Sequence, residues 1–331
     1  MTADMTESAP YCVELRPAVE LASLIEDPEV FATISYGHNS AIDPQLPGRI
    51  QIALPPIGGE ELIEVWRTQL PLQQASFGPV HYQYCDEFLF GSLLIEDTVF
   101  PDLARASAFA YQQIHDCLET AGFPALLRMW NYFPHINAEV EGLERYRSFC
   151  IGRHQALDEW HFPEEQLPAA TAIGTLGEGL LIYFVAGKKP GIQIENPRQV
   201  SAFHYPEQYG PKSPTFSRAT MMDWQQLYIS GTASIVGHET RHHHDSLAQL
   251  EETLNNLRIV IEQAHQKNGL GCNSLKDLNL VRLYVRNPGD SEVLRAYLAQ
   301  QLGEKTQIQV LHGDICRSDL LLEIEAMYAP C

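Results

Sequence analysis

The sequence predicts an α+β protein made of duplicated units, each a mixed sheet packed by helices. Three observations predict it. Strand-like and amphipathic stretches follow one another as strand, helix, strand, helix in the first half, and the same order returns after Leu227. Arg128-Met-Trp-Asn-Tyr-Phe-Pro and Arg282-Leu-Tyr-Val-Arg-Asn-Pro each follow a long helical stretch and precede a shorter one, as an internal repeat would. The chain also closes on a strand-like stretch, Asp314 to Tyr328, whose Leu320, Leu321, Leu322 and Ile324 belong inside a sheet.

Taken in order, residues 1–10 are polar and acidic and are expected to form a disordered leader. Tyr11–Arg16, Phe31–Tyr36 and Arg49–Leu54 alternate apolar and polar residues between Gly and Pro, which predicts a small meander of strands. Phe88–Glu96 is a strand. Pro101 opens a helix that runs to Thr120 and stops at Gly122. Leu126–Phe133 is a strand, and Asn137 is placed to cap a helix reaching Trp160. Leu176–Ala186 is a buried strand and Gly191–Glu195 a shorter one, while the prolines and glycine of Tyr205–Phe216 make that stretch a loop. Leu227–Ile235 is a strand pair with a glycine kink, and Ser246–Lys267 a long amphipathic helix. Leu278–Arg286, Gln307–Leu311 and Leu320–Met327 are strands, and Ser291–Leu302 a helix. The chain divides into an N-terminal α+β domain, 11–165, and a second domain, 166–331, with the 205–217 loop as the alternative boundary.

Composition narrows the partners. With 331 residues and 45% hydrophobic content the chain can bury a substantial core. A formal net charge of -20 argues against nucleic-acid or anionic-membrane partners, so an anionic ligand needs a local arginine cluster. No apolar run reaches membrane-spanning length. Seven scattered cysteines without a C-x-x-C pair predict reduced thiols and a cytoplasmic location. No dinucleotide, P-loop or nucleophile-elbow motif occurs.

Four stretches carry candidate chemistry. Glu323 and Glu325 share one face of the last strand; a carboxyl in an apolar wall gains a raised pKa and can deliver a proton near neutral pH, whereas an edge strand would leave both solvated. Glu144–Arg153 holds three arginines in ten residues, and a helix there stacks Tyr146, Cys150 and Arg153 on one face. Tyr205, Tyr209, Lys212 and Arg218 decorate the loop and its exit. With Arg153 they could clamp a dicarboxylate, because guanidinium forks match carboxylates. His238–Asp245 is rich in histidine, but adjacent imidazoles diverge and Asp245 sits where a helix cap belongs, so no metal is assigned. Cys316 lies in a turn beside Arg317.

Read jointly, Arg128–Asn137, Glu144–Arg153, Tyr209–Arg218, Ile229–Glu239 and the Cys316/Glu323 strand resemble the chorismatase family from about residue 80 onward. The resemblance extends to bacterial members that make hydroxybenzoates for pigment and ubiquinone pathways. Ile229-Ser-Gly-Thr-Ala233 is also similar to YjgF/RidA and AroH-type chorismate mutase folds. It implies duplicated YjgF-like units in a pseudo-trimer within one chain, acting without cofactor on chorismate. Glu323 then matches the catalytic acid, and Tyr146, Arg153, Tyr205 and Arg218 match substrate-holding positions. Cys316 matches the mark of hydroxybenzoate-forming branches. Ala233 stands where strict 3-hydroxybenzoate formers carry glycine, which implies 4-hydroxybenzoate as a second product. Hydrolysis to a dihydroxycyclohexadiene carboxylate, a non-catalytic YjgF-like carboxylate binder and an imine hydrolase are the alternatives.

Overall fold

The computed structural model describes residues 9–330, so the leader expected over residues 1–10 lies outside the described residues up to residue 8. Three mixed sheets follow along the chain. Strands β1 (Cys12–Pro17), β2 (Val30–Tyr36), β3 (Ala41–Asp43), β4 (Leu46–Ile52) and β5 (Leu62–Arg67), with a short helix α1 (Leu21–Ile25) after β1, form the first, in the order β1-β5-β2-β4-β3. The second holds β6 (Gln73–Phe77), β7 (Val80–Tyr84), β8 (Phe88–Ile95), β9 (Ala125–Pro134), β12 (Ala169–Thr175) and β13 (Leu180–Gly187), in the order β12-β9-β13-β8-β7-β6. Helix α2 (Leu103–Ala121) precedes β9; a ribbon of β10 (Glu139–Val140) and β11 (Leu143–Glu144) and then α3 (Arg145–Glu159) follow it.

The third sheet, β14-β15-β16-β21-β19-β20, is made by β14 (Ile192–Ile194), β15 (Ala219–Met221), β16 (Leu227–Thr232), β19 (Leu280–Val285), β20 (Gln307–His312) and β21 (Leu322–Tyr328). A ribbon of β17 (Ile235–Val236) and β18 (Glu239–Thr240) and helix α4 (Ser246–Asn268) lie between β16 and β19, and α5 (Ser291–Gln301) lies before β20. The helices start and stop for local reasons. Asp102 and Asp245 accept N-terminal amides of α2 and α4, and Gly122 and Gly269 close them in the left-handed conformation.

One four-strand order occurs three times: β4-β2-β5-β1, β12-β9-β13-β8 and β20-β19-β21-β16. In each, the first pair is parallel and the rest antiparallel. A parallel neighbour requires a crossover, which α3 and α5 supply in the second and third units. The duplication read from the sequence is present, together with an abbreviated copy in which five-residue α1 replaces a long helix. The three sheets close on one apolar cluster that includes Trp66, Trp130, Tyr183, Tyr228 and Tyr284, the pseudo-trimer-like arrangement expected.

Three boundaries and the state of one cysteine differ from the sequence reading. The last strand begins at Leu322 and not Asp314, because residues 314–321 form an irregular connector bound to Gly174 and Arg286. Asn137 caps no helix: the β10–β11 ribbon, turning through Glu141 and Gly142 at positive φ, delays α3 to Arg145. The boundary at 165 falls inside the second unit, since β12 and β13 pair with β9, so the sheets divide between Gly187 and Ile192. Cys12 is disulfide-bonded, against the expectation of reduced thiols throughout.

Where the sheets meet, a buried chain of charges joins them. Glu64 on β5 accepts from Arg282 on β19, which also pairs with Glu325 on β21; Glu325 in turn accepts from Arg128 on β9 and from the Thr171 hydroxyl. Arg128 and Arg282 are the leading arginines of the two repeated motifs. Trp66 and Trp130 donate indole N–H groups to Glu64 and Glu325 at 2.7 and 3.1 Å, and Tyr284 donates to Glu325 at 2.8 Å. Burial alone would raise the Glu325 carboxyl, but Arg282 and Arg128 override it and hold it below its ordinary range. Removing one partner of such a set strands a buried charge. Glu325→Gln, which leaves Arg128 without an anion, is therefore expected to cost about 3–5 kcal/mol in chemical denaturation; an unchanged midpoint and slope would contradict this role.

Candidate active site

A cleft of ≈ 900 Å³, counting its open mouth, lies between the second and third sheets. Strand β12 forms its floor because it docks edge-on against the third sheet: the amides of Ala169 and Ala170 donate to Thr220 Oγ1 and Ser230 Oγ at 2.7 and 2.9 Å. Helix α3 forms one wall, the 202–218 segment another, and β16 with β21 the third. The seven residues to which the family resemblance gives roles, Tyr146, Arg153, Tyr205, Arg218, Ala233, Cys316 and Glu323, line this cleft.

Helix α3 presents Tyr146, Cys150 and Arg153 on one face, as their spacing predicts. The helix can sit so close because of Gly152: a Cβ there would lie 1.9 Å from the Ala104 carbonyl oxygen of α2. Arg153 is only 3% exposed, and its Nε and Nη2 have no hydrogen-bond partner among the described residues. Its guanidinium carbon stands 5.2 Å from the Tyr111 ring centroid.

Arg218 leaves the loop just before β15. Its Nη2 donates to the Val200 carbonyl and to the Tyr205 hydroxyl, both at 2.9 Å, and its buried Nε is unpaired. Tyr209 is hydrogen-bonded to His238 Nδ1 at 3.1 Å, so both loop tyrosines belong to the wall, with Tyr205 the one that touches Arg218. Lys212 is exposed and is not part of the cleft lining.

Glu323 faces the cleft from β21. The strand lies between β16 and β19, so the solvated-edge alternative does not apply; Glu323 is 5% exposed. Pairing between β16 and β21 shifts register between Ile229 and Thr232, at the predicted glycine kink. There Gly231 leaves the room that the carboxyl occupies: a Cβ on it would sit 1.9 Å from Glu323 Oε1. Burial, and then the charge of Glu325, push the Glu323 carboxyl up to about 8, against the opposing pull of Arg128 and Arg218. The site thus holds a carboxylic acid that is mostly neutral at pH 7.

Cys316 is also held as the thiol. Burial raises it, Glu323 adds to the effect, and neighbouring Arg317 does not overcome them, contrary to the thiolate that an adjacent arginine favours. Burial likewise pushes Cys150 up to about 12 and Tyr146 well above its ordinary value. Ala233 is buried in the wall beyond the kink. The histidine stretch is elsewhere: Asp245 caps α4, His242 faces Glu252, and His243 faces Asp319. Among the described residues no three metal-capable side chains converge. Sequence reasoning missed Gly231 and Thr171 as the floor beside Glu323, and Arg317 as part of the lining; the last two come from a strand it did not place and an aperiodic connector.

The arrangement is therefore a neutral acid opposite buried, unpaired guanidinium nitrogens, suited to an anion that must be protonated. Residues 64–186 match the family model "Chorismatase FkbO/Hyg5-like, N-terminal". A chorismatase of Streptomyces rapamycinicus is 38% identical over 279 residues, 82% of this chain and 83% of that protein. A 3-hydroxybenzoate synthase of Streptomyces hygroscopicus is 36% identical over 279 residues, 81% of this chain and 82% of that protein. A crystal structure of a chorismatase superposes with a TM-score of 0.87 at 34% identity, over 97% of this chain and 99% of that one. By sequence and by fold, the chain belongs to the chorismatase family.

Proposed function

We propose that this protein cleaves the enol ether of chorismate to pyruvate and 3-hydroxybenzoate, with Glu323 as the acid. The observation that carries the reading is a carboxyl held up to about 8, facing a cleft with unpaired arginine nitrogens. Glu323 protonates the enolpyruvyl methylene carbon, and the resulting oxocarbenium ion makes the ring carbon–oxygen bond easy to break. Arg153 and Arg218 fix the two carboxylates, with Tyr146 and Tyr205 orienting the substrate beside them. Attack by the ring hydroxyl on the neighbouring ring carbon breaks that bond, releases pyruvate and gives an arene oxide, which opens to 3-hydroxybenzoate. Chorismate's atoms are then divided between the products and no water is consumed. Attack by water at the oxocarbenium carbon would instead give the dihydroxycyclohexadiene carboxylate.

Cys316, an uncharged thiol beside Glu323, steers this partition by occupying space where water would otherwise stand. Ala233, a methyl larger than glycine, narrows the cleft beyond the kink and supports 4-hydroxybenzoate as a minor product. Five free thiols among the described residues support the expected cytoplasmic location, whereas the disulfide at Cys12 does not. Three sheet units joined within one chain support a monomer.

Because the acid must carry its proton, and its pKa is raised, kcat/KM for pyruvate release is expected to stay level below about pH 8 and fall tenfold per unit above it. A fall beginning in the ordinary carboxylate range would contradict it. Glu323→Gln should lower kcat by about 10²–10⁴-fold, and wild-type protein that releases no pyruvate from chorismate would end the reading. Gly231→Ala should leave the fold intact, since the nearest atom is the end of a flexible side chain, yet lower kcat by about 100-fold through misplacement of the acid; a fully active variant would show that the notch is dispensable. Cys316→Ala should shift products toward the dihydrodiol on chromatography, and an unchanged ratio would remove Cys316 from the partition.

A further inference from the structure

We infer that Arg317 is a third substrate-binding arginine, which shares one carboxylate of the substrate with Arg218 while Arg153 takes the other. The inference rests on the dicarboxylate reading of the cleft and assigns its donors. Four buried guanidinium nitrogens in the lining have no partner among the described residues: Nε and Nη2 of Arg153, Nε of Arg218 and Nη2 of Arg317. Among the described residues none of the three arginines forms an ion pair, whereas Arg128 and Arg282 in the core are committed to carboxylates. Buried cations without an anion are costly, so the cleft is built to be completed by negative charge.

The donors fall into two sets. Nε and Nη2 of Arg153 lie on one edge of its guanidinium and can take both oxygens of a carboxylate. Arg218 and Arg317 offer one nitrogen each, and both border the same ring: Arg218 donates to the Tyr205 hydroxyl, and the Arg317 guanidinium carbon is 5.2 Å from the Tyr205 centroid. Arg317 is held in place independently of substrate. Its Nη1 donates to the His238 carbonyl at 2.9 Å, and its guanidinium stacks 3.9 Å from the Tyr209 centroid. This leaves the buried Nη2 as a donor without a mate among the described residues. Its neighbour in sequence, Cys316, lies in the same lining, so the connector brings the thiol and the cation to the substrate together.

The test uses the full chain carrying Glu323→Gln, in which chorismate binds without turnover and can be titrated calorimetrically. Adding R317Q should weaken chorismate about 10- to 100-fold, the loss of a charged hydrogen bond to a carboxylate, with R317K between the two. Pyruvate and 3-hydroxybenzoate, each carrying one carboxylate, separate the two sets: R317Q and R218Q should weaken the same probe, and R153Q the other. Chorismate affinity within twofold in R317Q overturns the proposal, as does a probe pattern that follows Arg153. Y209L keeps Arg317 but removes its stacking partner; an equal loss in that variant would make Arg317 a support for the wall only and also overturns it. Chorismate bound normally by a wild-type protein that releases no pyruvate would overturn the functional reading while leaving this comparison standing.

Discussion

Two carboxylates two residues apart on one buried strand cannot both be ionised without help, and the structure settles the conflict by unequal partnership. Glu325 receives Arg128, Arg282, Thr171, Trp130 and Tyr284. Glu323 receives a glycine notch and an apolar wall. The first carboxyl is thereby held as the anion and the second as the acid. The anion adds to the second effect, because its charge opposes ionisation of Glu323. The core that welds the sheets together thus also sets the proton affinity of the group in the cleft.

This division follows from the repeat. Arg128 and Arg282 occupy corresponding strands, β9 and β19, and converge on one glutamate where the three units meet. In the second sheet the corresponding positions hold an apolar and an aromatic residue. By register, Val185 faces Arg128 as Glu325 faces Arg282, and Tyr183 faces Trp130 as Glu323 faces Tyr284. The duplicated sheet therefore presents tyrosine where the third sheet presents the acid, and the cleft lies at the junction where α3 of one unit covers β21 of the next.

Much of this was legible in the residues. The Arg128 and Arg282 motifs revealed the repeat, helical spacing brought Tyr146, Cys150 and Arg153 to one face, and strand alternation put Glu323 and Glu325 together. Local signals failed where tertiary contacts decide the conformation. Asn137 carries a cap's chemistry but lies before the β10–β11 ribbon, and its side chain instead donates to Glu144 at 3.1 Å. Ala169–Thr175 is an alanine- and threonine-rich stretch that becomes a strand by pairing with β9, and nothing in its own pattern requires that. Arg317 sits in a connector without periodicity, and its place in the cleft depends on Tyr209 and His238, more than seventy positions earlier in the chain.

The chemistry of the cleft depends on Glu323 carrying a proton at neutral pH while Glu325 does not. Infrared spectroscopy of protein labelled with carboxyl-¹³C glutamate, taken as the difference between the wild type and Glu323→Gln across a pH series, observes that proton directly. A protonated carboxyl band belonging to Glu323 is expected to persist at pH 7 and to disappear as the pH passes about 8. A band already lost by pH 6 would mean an ionised carboxylate facing the arginines, and Glu323 could not then be the acid.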